Sequence, residues 1–275
     1  MLEDDFCDII KKARTGLGLK VEQVAKESRL DPRALHELES GHRAPTRSEV
    51  LALASAIKLD GEKLASVACE GWAPDSASSQ LDSVTTVHGE IGGYAVKGYV
   101  FYDPSSREAV LIDTGYHPDA MLETLERQGL RLKAVCLTHG HLDHAGGLDQ
   151  ILSRYPVPVH IGEEDWGMLQ WKPPVSLRRF VTDGERLPVG KMELEFVSTP
   201  GHTPGGVCYR APDCAFVGDT LFAGSIGRAN PASLYPLHLK SVRQRLLTLP
   251  ETLALLPGHG PATTVAEEKA HNPFG

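Results

Sequence analysis

The sequence predicts an α/β sheet domain carried behind a small all-α module, and three observations predict it. Up to about residue 70 the apolar residues recur at helical spacing, and no strand candidate occurs before residue 80. A stretch rich in Gly, Pro, Ser and Asp, GWAPDSASSQLDS, then breaks that period as a linker does. Beyond it, short apolar runs of strand type alternate with helical stretches, the pattern of a layered α/β domain. The boundaries fall at residues 1–70 for the helical module, 71–83 for the linker and 84–275 for the sheet domain.

In the helical module, Phe6, Ile9, Ile10 and Ala13 mark one apolar stripe, and Val21, Val24 and Ala25 a second. Leu35 and Leu38 mark a third, and Val50, Leu53, Ala54 and Ile57 a fourth, so four or five short amphipathic helices are expected. Asp31-Pro32 reads as a cap followed by proline at the first helical position, and Gly41 reads as the stop of that helix. The sheet domain, about 190 residues long, offers the runs VTTVH, AVKGYVFY, EAVLIDTG, LKAVCLTH, VPVHIG, MELEFVSTP, VCYRA and CAFVGDT as strands. Residues 119–128 and 233–247 read as helices between them.

Composition narrows the function classes. With 275 residues and 41% apolar content the chain can bury a sizeable core. It has no run of eighteen apolar residues, and its start, MLEDDFCDIIKKARTG, lacks the basic-then-apolar order of a signal peptide, so a cytoplasmic protein with no membrane partner is expected. Five widely spaced cysteines without a C-x-x-C pair read as reduced thiols. A net charge of -8 without a basic block excludes whole-molecule attraction to nucleic acid, so any such partner needs a local patch.

The densest chemistry lies in CLTHGHLDHAGG, residues 136–147. Imidazole and carboxylate suit divalent transition metals, and His139 and His141, at i and i+2 on an extended turn, can point into one cavity. Asp143 and His144 follow where a helix can start, offering ligands on the other side of the loop. Three later stretches repeat the layout of a strand end feeding a Gly-rich turn: STPGHTPGG with His202, FVGDTLFAG with Asp219 and ALLPGHGPA with His259. Together they supply seven candidate ligands on loops at strand ends, where α/β sites form. No GxSxG elbow competes with a metal-based reading, since GHTPG carries threonine and proline inside.

THGHLDH, TPGHTPGG, GDTLFAGSIGR and LLPGHGPATT, in this order, resemble the metallo-β-lactamase fold superfamily, and its short glyoxalase II-like branch in particular. The terminal HNPF also resembles that branch. The resemblance implies an αβ/βα sandwich with a dinuclear site at one edge. By position it implies His139, His141 and His202 around a first ion, Asp143, His144 and His259 around a second, and Asp219 bridging the two. Asp113, in the DTG turn, resembles the aspartate that orients a ligand histidine without touching metal. Arg228, in GSIGR, falls near the family's cationic contact to the carboxylate of the thiol.

The implied cofactor is a pair of divalent ions, zinc foremost, with iron and manganese also suited to a His and Asp set. Two such ions about 3.5 to 4 Å apart bring the pKa of a shared water to about 7, polarise a small-molecule carbonyl substrate and stabilise the oxyanion that forms. Asp143 is then the group that takes or relays the proton. A thioester such as S-lactoylglutathione leads. Lactones and β-lactams suit the same chemistry, and a persulfide dioxygenase with one iron on His139, His202 and Asp219 is a further member of the fold. Only sixteen residues follow His259, where full-length glyoxalase II enzymes carry a helical extension for glutathione.

The stretch from Lys11 to Leu64, with Val24-Ala25, Leu38-Glu39-Ser40-Gly41 and Pro45 leading into Val50, resembles the Cro/repressor-type (XRE-family) helix-turn-helix. The resemblance implies a helix from Pro32 to Ser40 in a major groove of double-stranded DNA, with Arg33, His36 and Glu37 near the bases and Arg43 near a phosphate. Residues 1–70 hold 11 Lys and Arg against 13 Asp and Glu, a balance of -2, whereas DNA affinity rests on neutralising phosphates. A retained fold used for dimerisation therefore stands beside DNA binding, and a homodimer is expected. The whole chain reads as a metallohydrolase with an appended module, or as a metabolite-responsive transcription regulator whose metal domain senses a ligand.

Overall fold

A computed structural model describes residues 1–75 and 81–275; residues 76–80 of the expected linker lie outside the described residues. Five helices come first: α1 (Phe6–Gly16), α2 (Val21–Ser28), α3 (Pro32–Glu39), α4 (Arg47–Ala56) and α5 (Gly61–Cys69). Their starts are written in the sequence. The Asp31 carboxylate accepts from the Arg33 amide at 2.7 Å with Pro32 in the first turn, Thr46 and Glu49 form a reciprocal capping pair on α4, and Asp60 accepts from the Glu62 and Lys63 amides of α5. The stripes read from the sequence face inward, with Ile9, Ile10, Ala13, Val24, Leu35, Leu38, Val50, Leu53 and Ile57 all buried.

Two six-stranded sheets follow. The first runs in spatial order β1 (Val84–Ile91), β2 (Tyr94–Tyr102), β3 (Glu108–Ile112), β4 (Arg131–Cys136), β5 (Val159–Ile161) and β6 (Arg178–Phe180), antiparallel as far as β3 and parallel beyond it. The second is ordered β12 (Thr263–Thr264), β11 (Ala254–Pro257), β10 (Cys214–Gly218), β9 (Val207–Arg210), β8 (Met192–Ser198) and β7 (Arg186–Val189), with β10 and β11 its one parallel pair. Between the sheets lie Phe101, Val110, Ile112 and Cys136 from one and Leu194, Phe196, Tyr209, Phe216 and Leu256 from the other. Helices α6 (Pro118–Arg127), α7 (Leu142–Ala145) and α8 (Leu148–Arg154) belong to the first sheet. Met121, Leu125, Leu148 and Ile151 of α6 and α8 pack with Val100, Leu111 and Val135 of its strands. The result is the αβ/βα sandwich, and no helix among the described residues is long and apolar enough to cross a membrane.

The outer face of the second sheet is covered differently. Val197, Cys208, Ala215, Val217 and Leu255 share one buried cluster with Tyr235 of α9 (Tyr235–Ser241), Val265 of α10 (Val265–His271), Phe274, and the apolar faces of α1 to α5. The helical module is therefore a layer of the sandwich. The Asp60 amide donates to the Pro273 carbonyl, Trp72 stacks on His271 with ring centres 4.7 Å apart, and Gly16 lies under the Tyr235 ring.

The helices expected at 119–128 and 233–247 differ in detail. The first is α6, and the second is α9 followed by a π-type stretch, Val242–Leu246. Strands β6, β7 and β12 went unread because RRF, RLPV and TT are short and lack the apolar run that marks the equally short β5 and β9.

Candidate metal centre

Every candidate ligand leaves the end of a strand. After β4 come His139 and His141 in a loop and Asp143 and His144 in α7, the loop after β8 carries His202, Asp219 directly follows β10, and His259 follows β11 after a single glycine. Gly218, which turns the chain from β10 toward Asp219, has φ +49, and a Cβ there would sit 2.4 Å from the Thr138 hydroxyl, so only glycine permits this approach.

Hydrogen bonds behind the rings fix three of the four later imidazoles. His144 Nδ1 donates to Asp113 at 2.8 Å, His202 Nδ1 to the Arg228 carbonyl at 2.7 Å, and His259 Nδ1 to the Ala95 carbonyl at 2.7 Å. In each neutral ring the proton is then on Nδ1, and the lone pair on Nε2 faces the cluster. Asp113, itself buried, also accepts from the Thr138 amide and hydroxyl at 2.7 Å each.

The freed atoms converge. His139, His141 and His202 form one triad, His139, Asp143 and His144 a second, and His144, Asp219 and His259 a third, with the donor atoms of each triad within 4.8 Å of one another. In their neutral Nδ1–H forms His144 and His259 turn Nε2 lone pairs toward each other at 3.4 Å, and neither can then donate to the other. Asp219 Oδ1 lies 3.2 Å from His144 Nε2, and Asp219 Oδ2 lies 3.6 Å from His202 Nε2 and 3.7 Å from His259 Nε2. Buried His139 Nε2 and Asp219 Oδ1 have no hydrogen-bond partner. Buried polar atoms left unpaired are rare, and lone pairs pointed at one another are costly unless a cation sits among them.

The charge pattern agrees. Burial pulls His139 well below the ordinary imidazole value and His202 down to about 4, so both stay neutral and keep their lone pairs. Burial acts against charge on His144 too, yet Asp219 and Asp113 outweigh it and hold that ring well above its ordinary value. The carboxylates thus draw positive charge into the cluster, which fits divalent cations. His141, Asp143 and His202 are half-buried, whereas His139, His144, Asp219 and His259 are buried, so the cluster opens to solvent along the first three.

Arg228 lends its backbone carbonyl to His202, and the residue is exposed. The four residues read as DNA contacts lie on the helical module, away from this cluster in sequence and packing. Arg33, His36 and Glu37 are exposed on α3, and the Arg43 guanidinium bonds Glu49 at 2.6 and 3.0 Å with Glu37 3.4 Å away, so its charge is already matched.

Sequence reasoning missed Asp165. Fully buried, it accepts from the Thr203 hydroxyl at 2.6 Å, the Gly205 amide at 2.8 Å and the Gly140 amide at 3.2 Å, and so ties the loop of His202 to the loop of His139 and His141. A lone aspartate in EEDWG has no spacing signature that singles it out.

The description Metallo-beta-lactamase superfamily matches residues 93–259, and Helix-turn-helix matches residues 10–64. The chain belongs to the metallo-β-lactamase superfamily and carries a helix-turn-helix module ahead of that domain. It is 36% identical over 202 residues to the probable metallo-hydrolase YqgX of Bacillus subtilis, a match spanning 65% of this chain and 92% of that one. It is 34% identical over 185 residues to the hydroxyacylglutathione hydrolase GloC of Haemophilus influenzae, spanning 61% and 87%. Among solved structures, TTHA1623 in a di-iron-bound form superposes with a TM-score of 0.59 at 32% identity, over 69% of this chain and all of that one.

Proposed function

We propose that the chain is a dinuclear metal-dependent hydrolase whose substrate is a thioester of the hydroxyacylglutathione class. The observation that carries this is the convergence of Nε2 lone pairs from rings whose Nδ1 protons are already committed, with Asp219 within reach of His144, His202 and His259. His139, His141 and His202 would hold one ion, Asp143, His144 and His259 the other, and Asp219 would bridge them. The likeness to the hydroxyacylglutathione hydrolase GloC supports the thioester class, and the di-iron-bound form of TTHA1623 supports a two-ion centre that zinc, iron or manganese suits. Bound there, two divalent ions polarise a carbonyl and bring the pKa of water to about 7.

The chain's own residues do the rest. Asp113 and the Arg228 and Ala95 carbonyls hold three rings in the ligating tautomer, so no reorientation is needed when the centre fills. Asp143, on the open side with its carboxylate 3.2 Å from His259, is placed to take a proton from the attacking water and pass it to the departing thiolate. Arg228, exposed and with its backbone carbonyl on His202, would offer a bidentate contact to a substrate carboxylate.

The test is elemental analysis of the purified chain joined to a panel of thioesters, lactones and β-lactams. Two ions per chain and turnover of an S-lactoylglutathione-type thioester are expected; lactone opening with the thioesters untouched overturns the substrate class in favour of a lactonase. Oxygen uptake with a persulfide and one iron per chain selects the dioxygenase reading.

The exposed residues Arg33 and His36 on α3 favour a second role for the module, binding of double-stranded DNA by a homodimer, which also keeps open a regulator whose metal domain senses a ligand. Site selection from random DNA is expected to recover a motif bound in a salt-dependent way; no motif, with the protein dimeric, leaves the module a dimerisation element.

A further inference from the structure

The segment Phe222–Arg228 lies between the helical module and the metal centre, and it is tied to both. Toward the centre, the Arg228 carbonyl accepts from His202 Nδ1, the Gly227 amide donates to the Asp219 carbonyl at 3.1 Å, and the Phe222 ring meets His259 edge-on with centres 5.8 Å apart. The contact at Gly227 is so close that an added Cβ would lie 2.0 Å from the Asp219 carbonyl oxygen and 2.9 Å from His202 Nδ1. Phe222 and Ser225 bond each other through both backbones at 3.1 and 2.9 Å, which closes the first half of the segment into a tight turn.

Toward the module, α1 reaches the same segment through a buried pair. The Lys12 ammonium, its side chain 9% exposed, bonds the Ile226 carbonyl at 2.9 Å and the Asp4 carboxylate at 2.5 Å, and stands 5.0 Å from the centre of the Phe222 ring. The same Asp4 oxygen accepts from the buried Ser225 hydroxyl at 2.5 Å. A buried ammonium needs such partners, and once it has them it fixes their positions. Ile226 is two residues from the carbonyl that orients His202, and Phe222 is the ring against His259. One side chain of the helix-turn-helix module therefore constrains both flanks of the centre.

We propose that Lys12 and Asp4 are positioning residues of the metal centre: they lock the Phe222–Arg228 segment and through it the His202 and His259 rings. This rests on reading the His and Asp cluster as a metal centre. The helix-turn-helix is on this account a structural part of the hydrolase, so that removing its α1 contact loosens metal binding without touching a ligand.

The experiment uses the full chain loaded with Co2+ or Zn2+, with affinities read by competition against a chromophoric chelator and the ligand field read from the visible spectrum of the Co2+ form. Lys12→Met, which keeps the apolar stem, is expected to weaken one ion by about tenfold or more and to shift the Co2+ bands, in the range that loss of a ligand-orienting contact produces. Lys12→Arg is expected to restore much of both, and Ser225→Ala, which cuts the tie from the other end, to weaken the same ion. Val24→Ala, a cavity on α2 where it packs against α3 and α4, is expected to lower the melting temperature and leave affinity and spectrum unchanged. Wild-type affinity and spectrum in both Lys12→Met and Ser225→Ala, with His202→Ala impaired, overturns the proposal alone. Wild-type affinity in His202→Ala as well overturns the metal reading and the proposal together.

Discussion

Asp113 shows how one residue can order a proposed metal centre by holding a single ring. It sits in the left-handed region with φ +55, a conformation uncommon for anything but glycine, asparagine and aspartate, and it spends that strain on three donors: the Thr138 amide, the Thr138 hydroxyl and His144 Nδ1. Asp113→Asn presents an amide N–H where one of those donors arrives, and it no longer favours the Nδ1–H tautomer of His144. Affinity for one ion should fall by about 10- to 100-fold in a chelator competition, with the fold retained by circular dichroism. The candidate ligands were singled out in the sequence because four of them crowd into six residues and three more repeat the strand-end and glycine layout. Asp113 was legible only through the resemblance, and Asp165 not at all. Its importance comes from drawing together Gly140, Thr203 and Gly205, residues far from it in the chain, and burial pushes its carboxyl up against the pull of those donors.

At the scale of elements, the helix-turn-helix could be read because its starts are chemical: Asp31-Pro32, Thr46 with Glu49, and Asp60 each announce a helix. Glu49 has a second duty. The Arg43 guanidinium beside it, and the Thr46 amide, hold its carboxyl down to about 2. A carboxyl lowered in the fold contributes stability that is fully present above its unfolded value, near 4.5, and lost as pH falls through about 2. Denaturant midpoints should therefore decline across that window by an amount that Glu49→Gln removes, about 0.5 to 1 kcal/mol for a partly exposed pair. The same pair withholds Arg43 from a phosphate, which local reading of GHRAP did not reveal because the partner lies six residues on in the next helix. The short strands β6, β7 and β12 stayed unread for the converse reason: they are strands only because a neighbour distant in the chain or across a turn pairs with them.

At the scale of the molecule, apolar periodicity shows that a helix face is buried and leaves open what it is buried against. The stripes of α1 to α5 suffice for a free-standing bundle, and the Gly- and Pro-rich stretch after them reads as a tether. The structure instead sets those stripes in one cluster with Val197, Ala215, Val217, Leu255 and Phe274. Bonds that cross the junction, from Lys12 to Ile226, from Asp60 to Pro273 and between Ser66 and His271, leave little that can open without exposing both sides. Heating the full chain should then give one transition, with far-ultraviolet dichroism and tryptophan fluorescence coincident, since Trp72 stacks at the junction on His271 while Trp166 and Trp171 report the sheet domain. A chain cut to residues 84–275 should lose roughly 10 °C in midpoint, the effect of about 3 to 5 kcal/mol on a domain of this size, and expose apolar surface that binds a hydrophobic dye. Two separated transitions in the full chain, with the cut domain as stable as the intact one, would instead mean that the module rides on the hydrolase without supporting it.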